Sequence, residues 1–202
     1  MLESMVKHPR PNRPECSDIA NAVLDGVDCI VLTTETARGN YPIDAVSAAH
    51  QICREAEAAC FNRHIFNDLV NLTLSPTAPM YTIAIAAVTA SLKSLAAAIV
   101  VITSSGNSAF TIAKYRPRCP ILLVCRHKRV TRQAHLYRGI LPIFYDQTPL
   151  EDWQKDVDQR VKRSFEIGKQ RGFLKPKDEV ILIQGWRKGK GATNCIRIVV
   201  VH

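Results

Sequence analysis

The sequence AAIVVITSSGNSAFTIA, residues 97–113, holds a strand, a tight loop and the start of a helix in one short stretch. Its first six residues are apolar and small or β-branched, without polar alternation, which is typical of a strand buried on both faces of a sheet. A short helical pattern with Phe110, Ala113 and Lys114 ends the stretch. The polar loop between them consists of Thr103, Ser104, Ser105, Gly106, Asn107 and Ser108.

The loop at residues 103–108 has a composition that suits a phosphate. A helix start directs unpaired backbone N–H groups and the positive end of the helix dipole at one point, and hydroxyl groups surround that point. The loop lacks the Walker glycine-lysine ending and the dinucleotide G-x-G-x-x-G, so neither nucleotide-binding class is indicated. The same residues would also serve an ordinary α/β corner, with Ser108 as the N-cap of the helix. Both interpretations remain open from the loop alone.

Positive charge near the loop favours the anion-binding interpretation. The formal net charge is +9, and residues 114–138 contain eight Lys or Arg and no Asp or Glu. Residues 185–197 contain four more basic residues and no acid. The aromatic content of 6% and the lack of a finger, basic-helix or aromatic-strand motif disfavour nucleic acid as a partner. Small phosphate esters are the polyanions that remain.

The composition is that of a globular protein, with 202 residues, 47% hydrophobic and 22% charged. The seven cysteines form an odd set without a C-x-x-C pair or zinc-finger histidines. They are therefore predicted to be core residues in a reducing compartment. No signal-peptide pattern and no apolar run of about 20 residues is present. We expect a cytoplasmic location, no membrane partner and no metal site.

Residues 1–59 predict two helices and a single strand. The prolines at positions 9, 11 and 14 predict an extended loop, and Ser17 is predicted to cap a helix that ends at Gly26. The apolar run at residues 29–32 predicts a buried strand, and Pro42 opens a long helix. A lone strand has no partner for its backbone groups or its apolar faces. It must either dock on the rest of the chain or belong to a larger parallel α/β unit.

From residue 61 onward the pattern predicts an open, mostly parallel, five-stranded sheet with helices. Pro142 confines the third strand to an edge or a bulge, and Thr131 is predicted to cap the helix before it. The last two strands leave no room for a helix between them, so they are predicted to pair antiparallel across the loop GWRKGKGATN. The predicted strands lie at residues 97–102, 121–125, 140–145, 179–183 and 195–201.

Two further features could converge on the loop at residues 103–108. Trp153 and Arg160 lie seven residues apart on one predicted helix, so they share a face to within about 20°. An indole beside a guanidinium suits a phosphorylated sugar. The second feature is a loop whose glycines let backbone N–H groups approach an anion, and it consists of Arg187, Lys188, Gly189, Lys190, Gly191 and Ala192. Taken separately, a core tryptophan, a surface arginine and a charged hairpin turn would explain the same residues.

Several stretches together closely resemble the C-terminal part of pyruvate kinase, and the resemblance covers essentially all 202 residues in order. It implies that residues 1–59 are the last βα unit of a TIM barrel. It implies that residues 60–202 are the C-terminal domain, which in many members binds the activator fructose 1,6-bisphosphate. The stretches are MLESMVKHPRPNRPECSDIANAVLDGVDCIVL, ETARGNYP, REAEAA, KYRPRCPI, RQAHLYRGI, the DW-KDVD-RV stretch and GW-x4-G-ATN.

The resemblance also implies roles for the candidate residues. The loop at residues 103–108 would hold one phosphate of the sugar, and Trp153, Arg160 and the loop at residues 187–192 would hold the other. The complete enzyme would transfer phosphate from phosphoenolpyruvate to ADP, giving pyruvate and ATP, with Mg²⁺ and K⁺, as a homotetramer that assembles through the C-terminal domain. The alternative is a non-catalytic module that binds a sugar phosphate or another subunit.

The chain departs from the family at the barrel mouth. The family usually has Ser-Gly-Glu-Thr-Ala where this chain has Thr33-Thr34-Glu35-Thr36-Ala37. A β-branched residue in place of glycine adds bulk and restricts φ beside the substrate site. Thr33 and Glu35 are the catalytic remnants that the resemblance implies. The family's phosphate-transferring lysine and its ligands for magnesium and potassium have no counterpart in these 202 residues, so we expect a truncated chain or fragment that binds neither ion and is inactive alone.

Overall fold

The computed structural model describes residues 1–187, 189 and 191–202. The chain divides into two compact units, Met1–Phe61 and Asn62–His202. No described helix is long and apolar enough to cross a membrane.

The first unit consists of two long helices, two single-turn helices and irregular connections. Its small apolar core contains Leu2, Met5, Ile19, Ala45 and Ala49. Its helices are a 3-10 helix at Glu3–Val6, α1 at Arg13–Leu24, α2 at Thr34–Ala37 and α3 at Pro42–Ala59.

The N-cap of helix α1 lies five residues before the predicted position. The sequence interpretation placed the N-cap at Ser17, but Asn12 precedes the first turn and its backbone N–H donates to the Glu15 carboxylate at 2.9 Å. Pro14 lies inside the first turn, where a missing N–H costs nothing because that N–H has no helical acceptor. The prediction of an extended loop through Pro14 is therefore wrong, and this proline helps to start the helix.

The predicted strand at residues 29–32 does not form in the described structure. These residues have no ladder partner within the first unit, and Val31 is 70% exposed. A strand is defined by hydrogen bonds to a neighbour. The apolar run is present without that neighbour, so the segment stays irregular.

The second unit contains the five-stranded sheet that the sequence predicts. The strand order is β3-β2-β1-β4-β5, with β5 antiparallel to β4 and all other pairs parallel. The open, mostly parallel α/β fold is confirmed, and Pro142 lies in the edge strand β3. The elements are α4 at Asn62–Asn71, α5 at Pro79–Ser94, β1 at Ala98–Ile102, α6 at Asn107–Lys114, β2 at Ile121–Cys125, α7 at Lys128–Ala134, β3 at Ile140–Phe144, α8 at Trp153–Gln170, β4 at Glu179–Gly185 and β5 at Thr193–Val200.

Helices cover both faces of this sheet. Ile99 and Val101 of β1 pack on the side of α5, α6 and α7, whereas Val100 and Ile102 pack on the side of α8. The chain leaves β1 toward β2, but β4 lies on the other side of β1. This reversal opens a crevice between the loops that follow β1 and β4, which is where ligands of open α/β sheets bind.

Two predicted helix caps are wrong. The residue before α6 is Gly106, with φ of 85°, and Ser108 lies inside the helix with its hydroxyl 2.9 Å from that of Thr193. Thr131 lies inside α7, and its hydroxyl donates to the Lys128 carbonyl. Ser108 and Thr131 were predicted as caps from residue preference alone. At α6, a glycine at positive φ begins the helix without a side-chain cap.

Gly106→Ala is expected to destabilise the second unit more than Gly139→Ala. Both glycines have positive φ, at 85° and 77°, but only at Gly106 would a new Cβ meet other atoms, including Phe110 Cζ at 2.6 Å and Val130 Cγ1 at 2.9 Å. The left-handed conformation alone costs roughly 1–2 kcal/mol, and overpacking adds about 1–3 kcal/mol. Urea unfolding followed by tryptophan fluorescence measures the difference, because both tryptophans, Trp153 and Trp186, lie in this unit. Equal losses of stability in the two variants would contradict this account.

Candidate anion-binding site

The loop after β1 is closed by its own short contacts. The Thr103 hydroxyl accepts a hydrogen bond from the Gly106 backbone N–H at 3.0 Å, which tightens the turn into α6. The thiol of Cys125, the last residue of β2, donates to the Ser104 carbonyl at 3.4 Å. These bonds hold the loop at the carboxyl ends of two adjacent parallel strands. Helix α6 then begins at Asn107, so its first N–H groups face the same edge of the sheet.

Helix α8 positions Trp153 and Arg160 on one face. The Asp152 side chain caps the helix by accepting the N–H groups of Gln154 and Lys155 at 2.9 and 3.2 Å. The Trp153 indole N–H donates to the Gly185 carbonyl at 3.3 Å, which joins the start of α8 to the end of β4. The Arg160 guanidinium lies 5.4 Å from the centre of the indole ring, at a cation–π distance.

Asp156 is the buried centre of this arrangement. Its carboxylate is 1% exposed and pairs with two arginines: it accepts from Arg126 Nη1 at 3.2 Å and from the Arg160 guanidinium. It also accepts the Leu150 backbone N–H at 3.1 Å. Burial raises the pKa of Asp156, but the hydrogen bonds from Arg126 and Leu150 and the charges of both arginines outweigh it and hold the pKa below its ordinary value.

The sequence interpretation missed Asp156 and Arg126. Asp156 follows Trp153 by three residues and precedes Arg160 by four, which places all three on one helix face. An acidic residue within that stripe was the available signal. Arg126 gave no such signal, because it follows β2 and reaches Asp156 only through the fold of the sheet.

Arg160 is buried but not fully satisfied. Its residue exposure is 7%, and its Nε has no hydrogen-bond partner in the described residues. Burial and the neighbouring Arg126 charge lower the pKa of Arg160, and Asp156 partly offsets them. The guanidinium therefore has a buried N–H donor that no oxygen of the described protein accepts.

The alternation of side chains along β1 and β2 indicates which residues at the carboxyl edge of the sheet lie on the side of α8. Val100 and Ile102 of β1 and Leu122 and Val124 of β2 face α8, so Ser104 and Arg126 continue the same rows at the carboxyl edge. Arg126 also lies 5.1 Å from the ring centre of Tyr145, which follows β3. Two guanidinium groups, those of Arg126 and Arg160, thus lie at the edge that faces α8.

The described residues of the loop between β4 and β5 include an exposed arginine beside an aromatic ring. The Arg187 guanidinium lies 4.8 Å from the ring centre of Trp186, and both residues are exposed. The Ala192 carbonyl accepts the Trp186 N–H at 3.4 Å across the hairpin, and Gly189 and Gly191 have positive φ. The predicted site residues Lys188 and Lys190 lie outside the described residues.

The predicted catalytic remnants form a structural contact in the first unit. Glu35 is 1% exposed, and its two carboxylate oxygens accept the N–H groups of Leu2 at 3.2 Å and Thr33 at 3.0 Å. Burial raises the pKa of Glu35, but backbone hydrogen bonds outweigh it and lower the pKa. In the described part of the chain no three His, Cys, Asp or Glu side chains are grouped to hold a metal ion. Thr33 and Glu35 do not by themselves fit a magnesium site.

Two models of known protein families match parts of the chain. Residues 81–199 match the family model described as "Pyruvate kinase, alpha/beta domain". The chain belongs to the pyruvate kinase family. Residues 1–46 match a second model, described as "Pyruvate kinase, barrel domain". The resemblance noted in the sequence is thereby confirmed.

Full-length pyruvate kinases match along nearly the whole chain. Human "Pyruvate kinase PKLR" is 48% identical over 201 residues, which cover 100% of this chain and 35% of the human protein. The "Pyruvate kinase" of Candida albicans is 46% identical over 199 residues, which cover 98% of this chain and 40% of the relative. "Pyruvate kinase 2" of Saccharomyces cerevisiae is 44% identical over 201 residues. The chain therefore spans about two fifths or less of the length of these relatives.

Proposed function

We propose that the unit Asn62–His202 binds a sugar bisphosphate, fructose 1,6-bisphosphate, in the crevice at the carboxyl ends of β1 and β4. The observation that carries the proposal is Arg160, a buried guanidinium stacked near Trp153 with an Nε that lacks a partner among the described residues. A buried donor without an acceptor is costly to keep. A phosphate oxygen would satisfy it.

The two ends of the ligand meet different groups. The loop at residues 103–108 offers hydroxyls and the first N–H groups of α6 to one phosphate. Trp153, Arg160 and the loop at residues 187–192 hold the other phosphate, with the indole against the sugar. Arg126 adds a second positive charge beside Arg160. One rigid ligand that engages two separate anion sites gains affinity over a monophosphate.

Ser104→Glu is expected to weaken binding of fructose 1,6-bisphosphate by about 1.5–3 kcal/mol, because a carboxylate within the loop repels the phosphate. Isothermal titration of the full chain measures the change. Thr89→Glu is the matched control, since Thr89 is exposed on α5, which packs on the other face of the sheet from α8. Equal affinities for Ser104→Glu and the control would remove the loop from the site.

At the level of the whole protein, we propose that this chain corresponds to the end of a pyruvate kinase that transfers phosphate from phosphoenolpyruvate to ADP. Residues 1–59 correspond to the last βα unit of its barrel, with Thr33 and Glu35 at the barrel mouth, and residues 60–202 to its C-terminal domain. Mg²⁺ and K⁺ would act in the complete, cytoplasmic enzyme. The family models and the names of the relatives support this proposal.

The purified 202-residue chain is expected to form no pyruvate from phosphoenolpyruvate and ADP in the presence of Mg²⁺ and K⁺. Phosphoryl transfer depends on charges that are fixed in advance around the transition state, and one βα unit of a barrel supplies few of them. A coupled assay for pyruvate tests this expectation. Turnover that co-purifies with the chain and disappears in Glu35→Gln would overturn it.

The second candidate function is a non-catalytic module that binds a sugar phosphate or another subunit. Strand β5 is an edge of the sheet, and its Ile198 and Val200 are exposed. An edge strand with apolar side chains favours pairing with another chain, as in the homotetramer that we propose for the complete enzyme. Sedimentation of the chain mixed with a full-length pyruvate kinase tests this candidate, which requires that the two assemble together.

A further inference from the structure

Gln184 is a second buried polar side chain with an unused hydrogen-bonding atom. The residue is 5% exposed, and its Oε1 has no partner in the described residues. Buried carboxamides are nearly always hydrogen-bonded, and an unpaired one is destabilising. The four preceding residues of β4, from Val180 to Ile183, are all apolar, so Gln184 interrupts an apolar run.

The position of Gln184 is at the crevice. Val180 and Leu182 of β4 face α8, and strand alternation places Gln184 on the same side. The next residue, Gly185, accepts the Trp153 indole N–H. The pairing of β4 with β5 shifts register between Gln184 and Gly185, and such irregularities redirect side chains beside functional sites.

One unpaired polar atom, Arg160 Nε, belongs to the guanidinium beside the Trp153 ring, and the other, Gln184 Oε1, belongs to the residue before the glycine that Trp153 contacts. Arg160 Nε is a charged donor that suits a phosphate oxygen, whereas the Gln184 carboxamide is neutral. The unpaired atom of Gln184 is its carbonyl oxygen, which accepts but does not donate, so a sugar hydroxyl can pair with it and an ionised phosphate oxygen cannot. The charged donor matches the phosphate groups of a phosphorylated sugar, and the carbonyl acceptor matches its hydroxyl groups.

We propose that Gln184 is a specificity-determining residue of this site, whose carboxamide binds a sugar hydroxyl and so selects phosphorylated sugars over bisphosphates that lack hydroxyls. The inference rests on the proposed bisphosphate site and names which part of the ligand is recognised. Inorganic and alkyl phosphates would satisfy Arg160 but would leave Gln184 Oε1 unpaired.

The test titrates the full chain with two ligands, fructose 1,6-bisphosphate and 1,6-hexanediol bisphosphate, which carries two terminal phosphates and no free hydroxyl. Gln184→Met keeps the side-chain length and removes the amide. It is expected to weaken fructose 1,6-bisphosphate by about 3–10-fold, the range for one neutral hydrogen bond, and to leave the alkyl bisphosphate within about 2-fold. Gln170→Met, exposed at the end of α8, is the control and should change neither affinity.

The outcomes separate this inference from the proposed function. If the wild-type chain binds neither ligand, both fail. If wild type binds and Gln184→Met weakens both ligands equally or neither, the site stands and Gln184 does not read the sugar. Failure of Gln184→Met to fold would also overturn the inference, because it would show that the amide is needed for the folded state rather than for a ligand.

Discussion

Asp156→Ala is expected to lower the free energy of unfolding of the second unit by about 3–5 kcal/mol, the typical loss when one partner of a buried ion pair is removed. The carboxylate is 1% exposed and pairs with Arg126 and Arg160. Without it, two adjacent guanidinium groups remain near each other with no counter-charge between them. Urea unfolding followed by tryptophan fluorescence measures the loss.

Asp158→Ala is the matched control on the same helix. Asp158 is exposed, and its carboxylate accepts a hydrogen bond from the amide of the exposed Gln154 at 3.0 Å. Surface substitutions of this kind change stability by about 0.5 kcal/mol or less. A loss at Asp156 no larger than that at Asp158 would contradict the description of Asp156 as the buried centre of the site.

The same carboxylate gives a pH dependence of known sign. The folded-state pKa of Asp156 is lowered from its ordinary value of 3.8. Its stabilising contribution is therefore present above that value and is lost as the pH falls through the lowered folded-state pKa. Between pH 5 and the acid transition, the stability of wild type should fall more steeply than that of Asp156→Ala.

Arg160→Ala is expected to weaken fructose 1,6-bisphosphate by about 10–150-fold, which corresponds to about 1.5–3 kcal/mol for a charge-assisted contact. The substitution removes the buried Nε donor and the cation beside Trp153. Titration of the full chain measures the affinity, and tryptophan fluorescence reports whether the unit remains folded.

Arg163→Ala is the control for Arg160→Ala. Arg163 is an exposed arginine on the same helix, and it pairs with Glu166 at 3.1 Å. It has the same formal charge, so a general effect of net charge on anion attraction would appear in both variants. Similar losses of affinity in the two variants would show long-range attraction rather than a contact at Arg160.

Patterns local to the chain predicted most of the sheet. Runs such as ILLVC at Ile121–Cys125 are buried on both faces, and their length and flanking turns distinguish them from helices. Pro142 predicted an edge strand because proline cannot donate to a neighbouring strand. The short loop before β5 predicted its antiparallel pairing for a similar geometric reason.

The incorrect predictions, a strand at residues 29–32 and the helix caps, depend on structure that side-chain preference does not determine. The residues 29–32 have the composition of a strand, but pairing depends on a neighbour that the first unit does not contain. The caps of α1 and α6 depend on the backbone conformation at Asn12 and Gly106, which side-chain preference does not reveal.

The candidate site could be predicted only in part. Trp153 and Arg160 share a helix face, so their spacing alone placed them together. Arg126 and Gln184 reach the same edge from β2 and β4, and their proximity follows from strand order and alternation. The unused Arg160 Nε and Gln184 Oε1 are properties of the packed structure, which no spacing in the sequence encodes.

The most direct test of the two-site crevice is calorimetric titration of the wild-type chain with fructose 1,6-bisphosphate and, separately, with fructose 6-phosphate. If two anion sites of the protein bind one rigid ligand, the bisphosphate binds at least about 10-fold more tightly than the monophosphate. Equal affinities, or no heat of binding at millimolar bisphosphate, would contradict the account and return Trp153 and Arg160 to purely structural roles.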